Sequence, residues 1–146
     1  ARDHVSDADL PATPPPINPV GQYLHEPDGA VIRAGLIAAV VDAVDGWLID
    51  PHIAYVSSNS DATSPFLSSY QVVDVLPFGL KRLRAYLRAE GVGHVVVKKR
   101  GSAIDVDELR RSLRLDRSAR EQRTLVLTRI GDDPIVAICQ PLRQAT

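Results

Sequence analysis

Ten cationic side chains fall into three groups in the second half of the chain. Lys81, Arg82, Arg84 and Arg88 share one segment, Lys98, Lys99 and Arg100 are consecutive, and Arg110, Arg111 and Arg114 form the third group. Cations at this density can neutralise several phosphates, which gives affinity for RNA or another polyanion without reading a sequence. The first and third groups recur at intervals of three and four, so on helices they form rows rather than scattered charges. The bland alternative is a set of solvated faces with local pairing. Asp107 and Glu108 stand within pairing distance of Arg110 and Arg111, whereas Lys81, Arg82 and Arg84 have no acidic neighbour in their segment. Aromatic residues are sparse among these groups, Phe78 and Tyr86 only. That scarcity favours recognition of backbone or shape over stacking of single strands.

A second polar cluster, His25-Glu26-Pro27-Asp28, stands before a long apolar segment. An imidazole and two carboxylates could do acid–base chemistry, as in a small autonomous enzyme. The competing reading is structural: Pro27 turns Glu26 away from helical geometry and Asp28 caps the helix that follows. No partner nucleophile converges on it in the sequence. There is no glycine-rich phosphate loop and no G-x-S-x-G elbow. The four histidines, His4, His25, His52 and His94, lack metal-ligand spacing, so no metal site is expected. Cys139, the one cysteine, lies in an apolar strand and reads as a core residue; it cannot form an internal disulfide framework.

These groups sit in a chain of 146 residues, 45% hydrophobic and 24% charged, a balance expected of one soluble globular domain. The net charge of −1 conceals an asymmetry. Residues 1–74 carry two basic and ten acidic residues, while residues 75–146 carry fifteen basic and eight acidic, giving −8 and +7. Such polarity points to a polyanionic partner, or to attraction between the two halves. No apolar run is long enough to span a bilayer, and no signal-peptide pattern opens the chain, so a cytoplasmic location is expected and no membrane partner. The chain starts at Ala1 and contains no Met, as a piece of a longer protein would.

The elements that must hold these residues follow from pattern. Prolines 11, 14, 15, 16 and 19 make residues 1–19 an extended linker or tail, leaving residues 20–146 as the folded domain. Residues 30–44 read as one buried helix ended by Gly46. Trp47-Leu48-Ile49 is a short apolar stretch, residues 53–56 a strand, residues 57–64 a polar loop and residues 70–76 a strand ended by Pro77. Residues 78–90 form an amphipathic helix with Leu80, Leu83 and Leu87 on one face, and residues 94–99 a strand. Asp105 with Glu108 three later opens a helix that turns Leu109 and Leu113 inward. Residues 115–122 are a polar connector, and residues 125–130 and 135–139 form a hairpin. The order α-β-β-α-β-α-β-β predicts an α+β fold, a mixed β-sheet with helices packed on it.

Several strings in this order resemble the carboxy-terminal domain of a group of bacterial class I S-adenosylmethionine-dependent methyltransferases. They are Tyr23-Leu24-His25-Glu26-Pro27-Asp28-Gly29-Ala30-Val31-Ile32-Arg33-Ala34-Gly35, then Ser64-Pro65-Phe66, Tyr70 through Phe78, and Lys81-x-Leu83. Next come Lys98-Lys99-Arg100-Gly101, Leu109-Arg110-x-x-Leu113 and Leu125-Val126-Leu127-Thr128-Arg129. The resemblance covers about residues 20–141. The terminal domain of that family is THUMP-like, and THUMP domains are α/β modules that deliver RNA, typically transfer RNA, to a modifying enzyme. The resemblance therefore implies an RNA-presenting domain of a methyltransferase, non-catalytic by itself. It implies a catalytic domain in cis, with S-adenosylmethionine bound there and no cofactor in this domain. The alternative is a protein-interaction module that docks on the catalytic domain or self-associates, through the acidic first half or through Trp47 and Phe66.

Overall fold

The computed structural model describes residues 14–142. Its elements are β1 (Tyr23–Pro27), α1 (Gly29–Arg33), α2 (Ile37–Ala43), β2 (Trp47–Asp50), β3 (Ile53–Ser58), β4 (Leu67–Pro77), α3 (Leu80–Ala89), β5 (Val92–Lys99), α4 (Val106–Leu113), β6 (Glu121–Ile130) and β7 (Asp133–Pro141). The fold is α+β, with seven strands in a mixed sheet. The chain divides into two compact units, the first running to Val72 and taking in Leu142, the second Val73–Pro141. Strand β4 contributes to both.

In the first unit the strand order is β2-β3-β1-β4, and all these pairs are antiparallel. The single helix expected over residues 30–44 is two. Gly35 takes a φ of +71° between α1 and α2, a conformation that glycine adopts without steric cost and that a continuing helix excludes. Asp28 caps α1 as expected, its Oδ1 accepting the Ala30 N–H at 2.8 Å. The apolar residues of the segment still form a core: Val31, Val40, Val41 and Val44 pack with Leu48, Val56 and Leu67. Tyr23–Pro27, read from sequence as a lead-in, is a strand buried between β3 and β4. Its polar His-Glu content masked the alternation. Trp47–Asp50 is also a strand, and Ser57 and Ser58 extend β3 into the expected loop. The end of the proline-rich stretch is hydrogen-bonded along β2. Leu48 N–H donates to the Pro16 carbonyl at 2.9 Å, Asn18 N–H to Leu48 at 3.1 Å, and Trp47 Nε1 to Pro19 at 2.8 Å. Trp47 is thus half-buried and engaged, while Phe66 is 41% exposed.

The second unit orders its strands β4-β7-β6-β5. Strands β6 and β7 form the expected hairpin, with β6 starting earlier, at Glu121. Strand β5 runs parallel to β6, so the connection through α4 is a crossover that lays the helix on the sheet. The core here is Leu83 and Leu87 of α3, Leu109 and Leu113 of α4, Val92, Leu125, Leu127, Val136 and Ile138. These are the leucines that the helical spacing turned inward. Cys139 is fully buried, and burial pushes its thiol pKa up to about 12, so it is a neutral core residue.

Candidate nucleic-acid interface

The second unit carries two cationic clefts at the start of β5. Their positions follow from one close approach. Gly93 is buried, and a Cβ there would lie 2.2 Å from the Ala119 carbonyl oxygen and 2.6 Å from that of Asp116. The segment after α4 therefore folds directly onto the first turn of β5, where the β5–β6 register shifts between Val92 and His94.

The larger cleft, about 440 Å³, is lined by Gly93, His94, Val95, Arg110, Arg111, Arg114, Leu115 and Arg117. Four guanidinium groups border it and no carboxylate does. Arg110 Nη1 donates to the Val95 carbonyl at 2.8 Å, which fixes the arginine against the edge strand. Among the described residues, Arg111, Arg114 and Arg117 make no hydrogen bond or ion pair. The pairing of Asp107 and Glu108 with Arg110 and Arg111 that the sequence spacing allowed is not made. Asp105 accepts the Glu108 N–H at 3.0 Å as the cap of α4, and that bond holds its carboxyl below the ordinary pKa.

The second cleft, about 260 Å³, is bordered by Arg84, Arg88 and Arg114 with Leu113, Leu115 and Asp116. Arg84 is half-buried, and its Nε and Nη2 both donate to the Ser112 carbonyl, the former at 3.1 Å. A cation on the last carbonyls of α4 satisfies groups that a helix end leaves open and complements its dipole. Arg84 thus works structurally as well as lining the cleft. The Asp116 carboxylate is engaged with Ser118, whose hydroxyl and N–H donate at 2.6 and 2.9 Å and lower its pKa.

Arg114 borders both clefts. It is the C-cap of α4, with φ 50° and ψ 50°, the left-handed conformation that helix ends usually give to glycine. A long cation whose Cβ is held at that strained position links the α3 and α4 groups at one place.

The three groups expected from sequence are therefore joined in part. Arg84 and Arg88 of α3 meet Arg110, Arg111 and Arg114 of α4 at the start of β5. Lys81 and Arg82 are exposed but line neither cleft. Lys98, Lys99 and Arg100 stand at the other end of β5, roughly 16 Å from His94 at the usual rise per residue. Lys99 Nζ donates to the Ile104 carbonyl at 2.8 Å and ties down the loop after the strand. Two cleft residues escaped the sequence reading, His94 and Arg117. Arg117 lies beyond the end of α4, in the segment that the sequence reads as a polar connector, and the fold of that segment onto Gly93 brings it to the cleft.

The His25 cluster is not a solvent-facing site. His25 is fully buried, with Nδ1 2.8 Å from Ser69 Oγ and Nε2 2.9 Å from Ser58 Oγ. Ser58 spends its own proton on the Ser60 carbonyl at 2.8 Å, so it accepts Nε2–H, and Nδ1 accepts from Ser69. Burial lowers the His25 pKa to about 4, so the ring is neutral. Among the described residues, no group of three His, Cys, Asp or Glu could hold a metal, and no helix is long and apolar enough to cross a membrane.

The family described as THUMP domain-like matches residues 67–141, just over half of the chain. The chain belongs to the THUMP-like family. Its second unit falls wholly within the matched span. The chain is also 40% identical over 131 residues to an uncharacterized S-adenosylmethionine-dependent methyltransferase of Mycobacterium tuberculosis, in strains CDC 1551 / Oshkosh and ATCC 25618 / H37Rv. The match takes in 87% of this chain and 36% of the relative, so the chain spans about a third of the relative's length. Among solved structures it is similar to a crystal structure assigned to a methyltransferase of Porphyromonas gingivalis W83. The TM-score is 0.72 at 18% identity, covering 90% of this chain and 32% of that one, a likeness of fold.

Proposed function

We propose that this chain is the RNA-presenting domain of an S-adenosylmethionine-dependent methyltransferase. It would bind the RNA substrate, transfer RNA being the first candidate, and hold it for a catalytic domain in the same polypeptide. The observation that carries the reading is the pair of arginine clefts meeting at Arg114. Five arginines besides Arg114, namely Arg84, Arg88, Arg110, Arg111 and Arg117, border them. Guanidinium groups suit phosphate because their planar fork donates two hydrogen bonds to it at once. Guanidiniums held on a strand–helix frame can follow a sugar–phosphate backbone without reading its bases. The naming of its relatives as S-adenosylmethionine-dependent methyltransferases supports the methyltransferase part of this reading. In this reading methyl transfer and S-adenosylmethionine binding belong to a catalytic domain outside this chain, and the whole acts in the cytoplasm on RNA.

The test is fluorescence anisotropy of the chain with bulk bacterial transfer RNA over a salt series. Backbone binding through four to six phosphates gives log K falling with log salt at a slope of roughly −3 to −5. No binding at low salt would refute the reading and favour the docking role.

A further inference from the structure

Strand β5 stands last in the sheet order, so one of its edges pairs with β6 and the other has no strand beside it. Two contacts show which peptide groups face that open edge. Along a strand, the N–H and C=O of one residue point to one side and those of the next residue to the other. Arg100, just past β5, donates its N–H to the Leu127 carbonyl at 3.1 Å, so residues of its parity, His94, Val96 and Lys98, turn toward β6. Arg110 of α4 takes the Val95 carbonyl at 2.8 Å, so Val95 turns outward, and Val97 and Lys99 share its parity. Among the described residues, the N–H groups of Val95, Val97 and Lys99 and the carbonyls of Val97 and Lys99 have no partner. A row of open peptide groups is a template for a further strand. The Val95 and Val97 side chains pack against the core and hold the edge in place, while Val96, on the other face, is 39% exposed.

The charge beside the edge decides what can pair there. The larger cleft is lined at this edge by Gly93, His94 and Val95, and its four arginines stand at the amino end of the open stretch. Lys99 stands at the carboxyl end. Asp105, whose charge interacts with Arg111 and Lys99, is engaged as the cap of α4. A second copy of β5 would bring the same cations against these, and like charges across paired strands are destabilising. A strand with carboxylates at its ends meets opposite charge at both. Antiparallel pairing is the more stable arrangement, and it lays the carboxyl-terminal end of the incoming strand in the arginine cleft.

We infer that the open edge of β5 takes an extended acidic segment of a partner protein as a further strand of the sheet. Backbone pairing with Val97 and Lys99 supplies affinity, and carboxylates on the larger cleft and on Lys99 supply selection. The inference does not rest on RNA presentation. A segment so placed covers one wall of the larger cleft, so segment and polyanion exclude each other there.

The experiment is an NMR titration of the chain, without RNA, with the acetylated and amidated heptapeptide Glu-Ser-Val-Val-Thr-Asp-Asp. Its third residue is set to lie opposite Val97 and its last two to reach the arginines. Amide exchange reads the pairing. In the free chain His94, Val96 and Lys98 should exchange slowly, and Val95, Val97 and Lys99 fast. With the peptide at about ten times its Kd, the fast three should slow by about tenfold. Binding should weaken as salt rises. The peptide N-methylated at its third residue keeps every charge but cannot donate to the Val97 carbonyl, and it should not bind. A peptide with Lys in place of Glu and Asp should not bind either. Val97→Pro removes an outward N–H and no β5–β6 bond, so it should keep the fold and lose the peptide. The N-methylated peptide tests the pairing on the unaltered chain, so the result does not depend on how that variant folds. No slowing with the peptide at millimolar concentration, or equal binding by the N-methylated peptide, would overturn the inference. Slowing of the same three amides without peptide as the protein is concentrated would put a second copy on the edge and overturn it too. Transfer RNA binding in the salt series is read separately, so either proposal can fail alone.

Discussion

Replacing Arg114 by glycine should make the protein more stable and worse at binding RNA. Arg114 sits at φ 50° and ψ 50°, where a residue with a Cβ is disfavoured by roughly 1–2 kcal/mol. Glycine relieves that strain but adds freedom to the unfolded chain, which costs about 0.4–1 kcal/mol. The Arg114 side chain is exposed and has no hydrogen bond or ion pair among the described residues, so little native contact is lost. The net is a gain of about 1 kcal/mol, or roughly 3 °C in melting temperature for a chain of this size. The same change removes the one guanidinium common to both clefts. A lost charge-assisted contact to phosphate weakens binding by about tenfold and flattens the salt slope by about one. Thermal denaturation and anisotropy titrations on the same preparation read both quantities. Arg114→Lys is the control, since it keeps the strain and the charge and loses only the planar fork. A glycine variant that melts lower, or one that binds transfer RNA as tightly as the parent, would refute the reasoning.

Other consequences follow from named contacts. Gly93→Ala forces a Cβ against the Ala119 and Asp116 carbonyls; it should destabilise the fold by roughly 2–3 kcal/mol and loosen residues 115–120, readable by melting and by amide exchange. Arg84→Met removes two donors from the Ser112 carbonyl and should cost roughly 1–2 kcal/mol by chemical denaturation. His25 titrates at about 4 in the folded protein against an ordinary 6.5. The unfolded chain therefore takes up its proton first. This contribution to stability is complete above pH 6.5, falls between pH 6.5 and 4 by up to 1.4 kcal/mol per pH unit, and levels off below. Denaturation across that range should show this acid limb, and His25→Asn should flatten it while lowering stability at pH 7.

Much of the second unit was legible because its signals are local and repetitive. Leu83, Leu87, Leu109 and Leu113 follow helical spacing, Asp105 carries its cap signal, and Val95-Val96-Val97 reads as strand. The first unit was harder. Residues 30–44 look continuously helical, and only the backbone reversal at Gly35 splits them into α1 and α2. Tyr23–Pro27 hides its strand because His25 is a polar residue in a core position, satisfied by serines 33 and 44 residues away. No local pattern shows such a partnership. The interface was half legible for the same reason. Charge rows on α3 and α4 were visible, but their junction depends on the close approach at Gly93 and on the left-handed turn at Arg114. The run Lys98–Arg100, prominent in the sequence, is carried by β5 to the opposite end of the strand from the clefts.

The central claim is that the arginine clefts at the start of β5, and not net positive charge, hold the RNA. Two variants that each remove two charges separate these. Arg114→Ala with Arg117→Ala removes cleft residues; Lys81→Ala with Arg82→Ala removes exposed cations of α3 outside both clefts. Their transfer RNA affinities over a salt series are the measurement. The account predicts that the first variant loses about two contacts, with a salt slope shallower by roughly 1.5–2, and that the second stays close to the parent. Equal losses in the two variants, or a larger loss in the second, would contradict it.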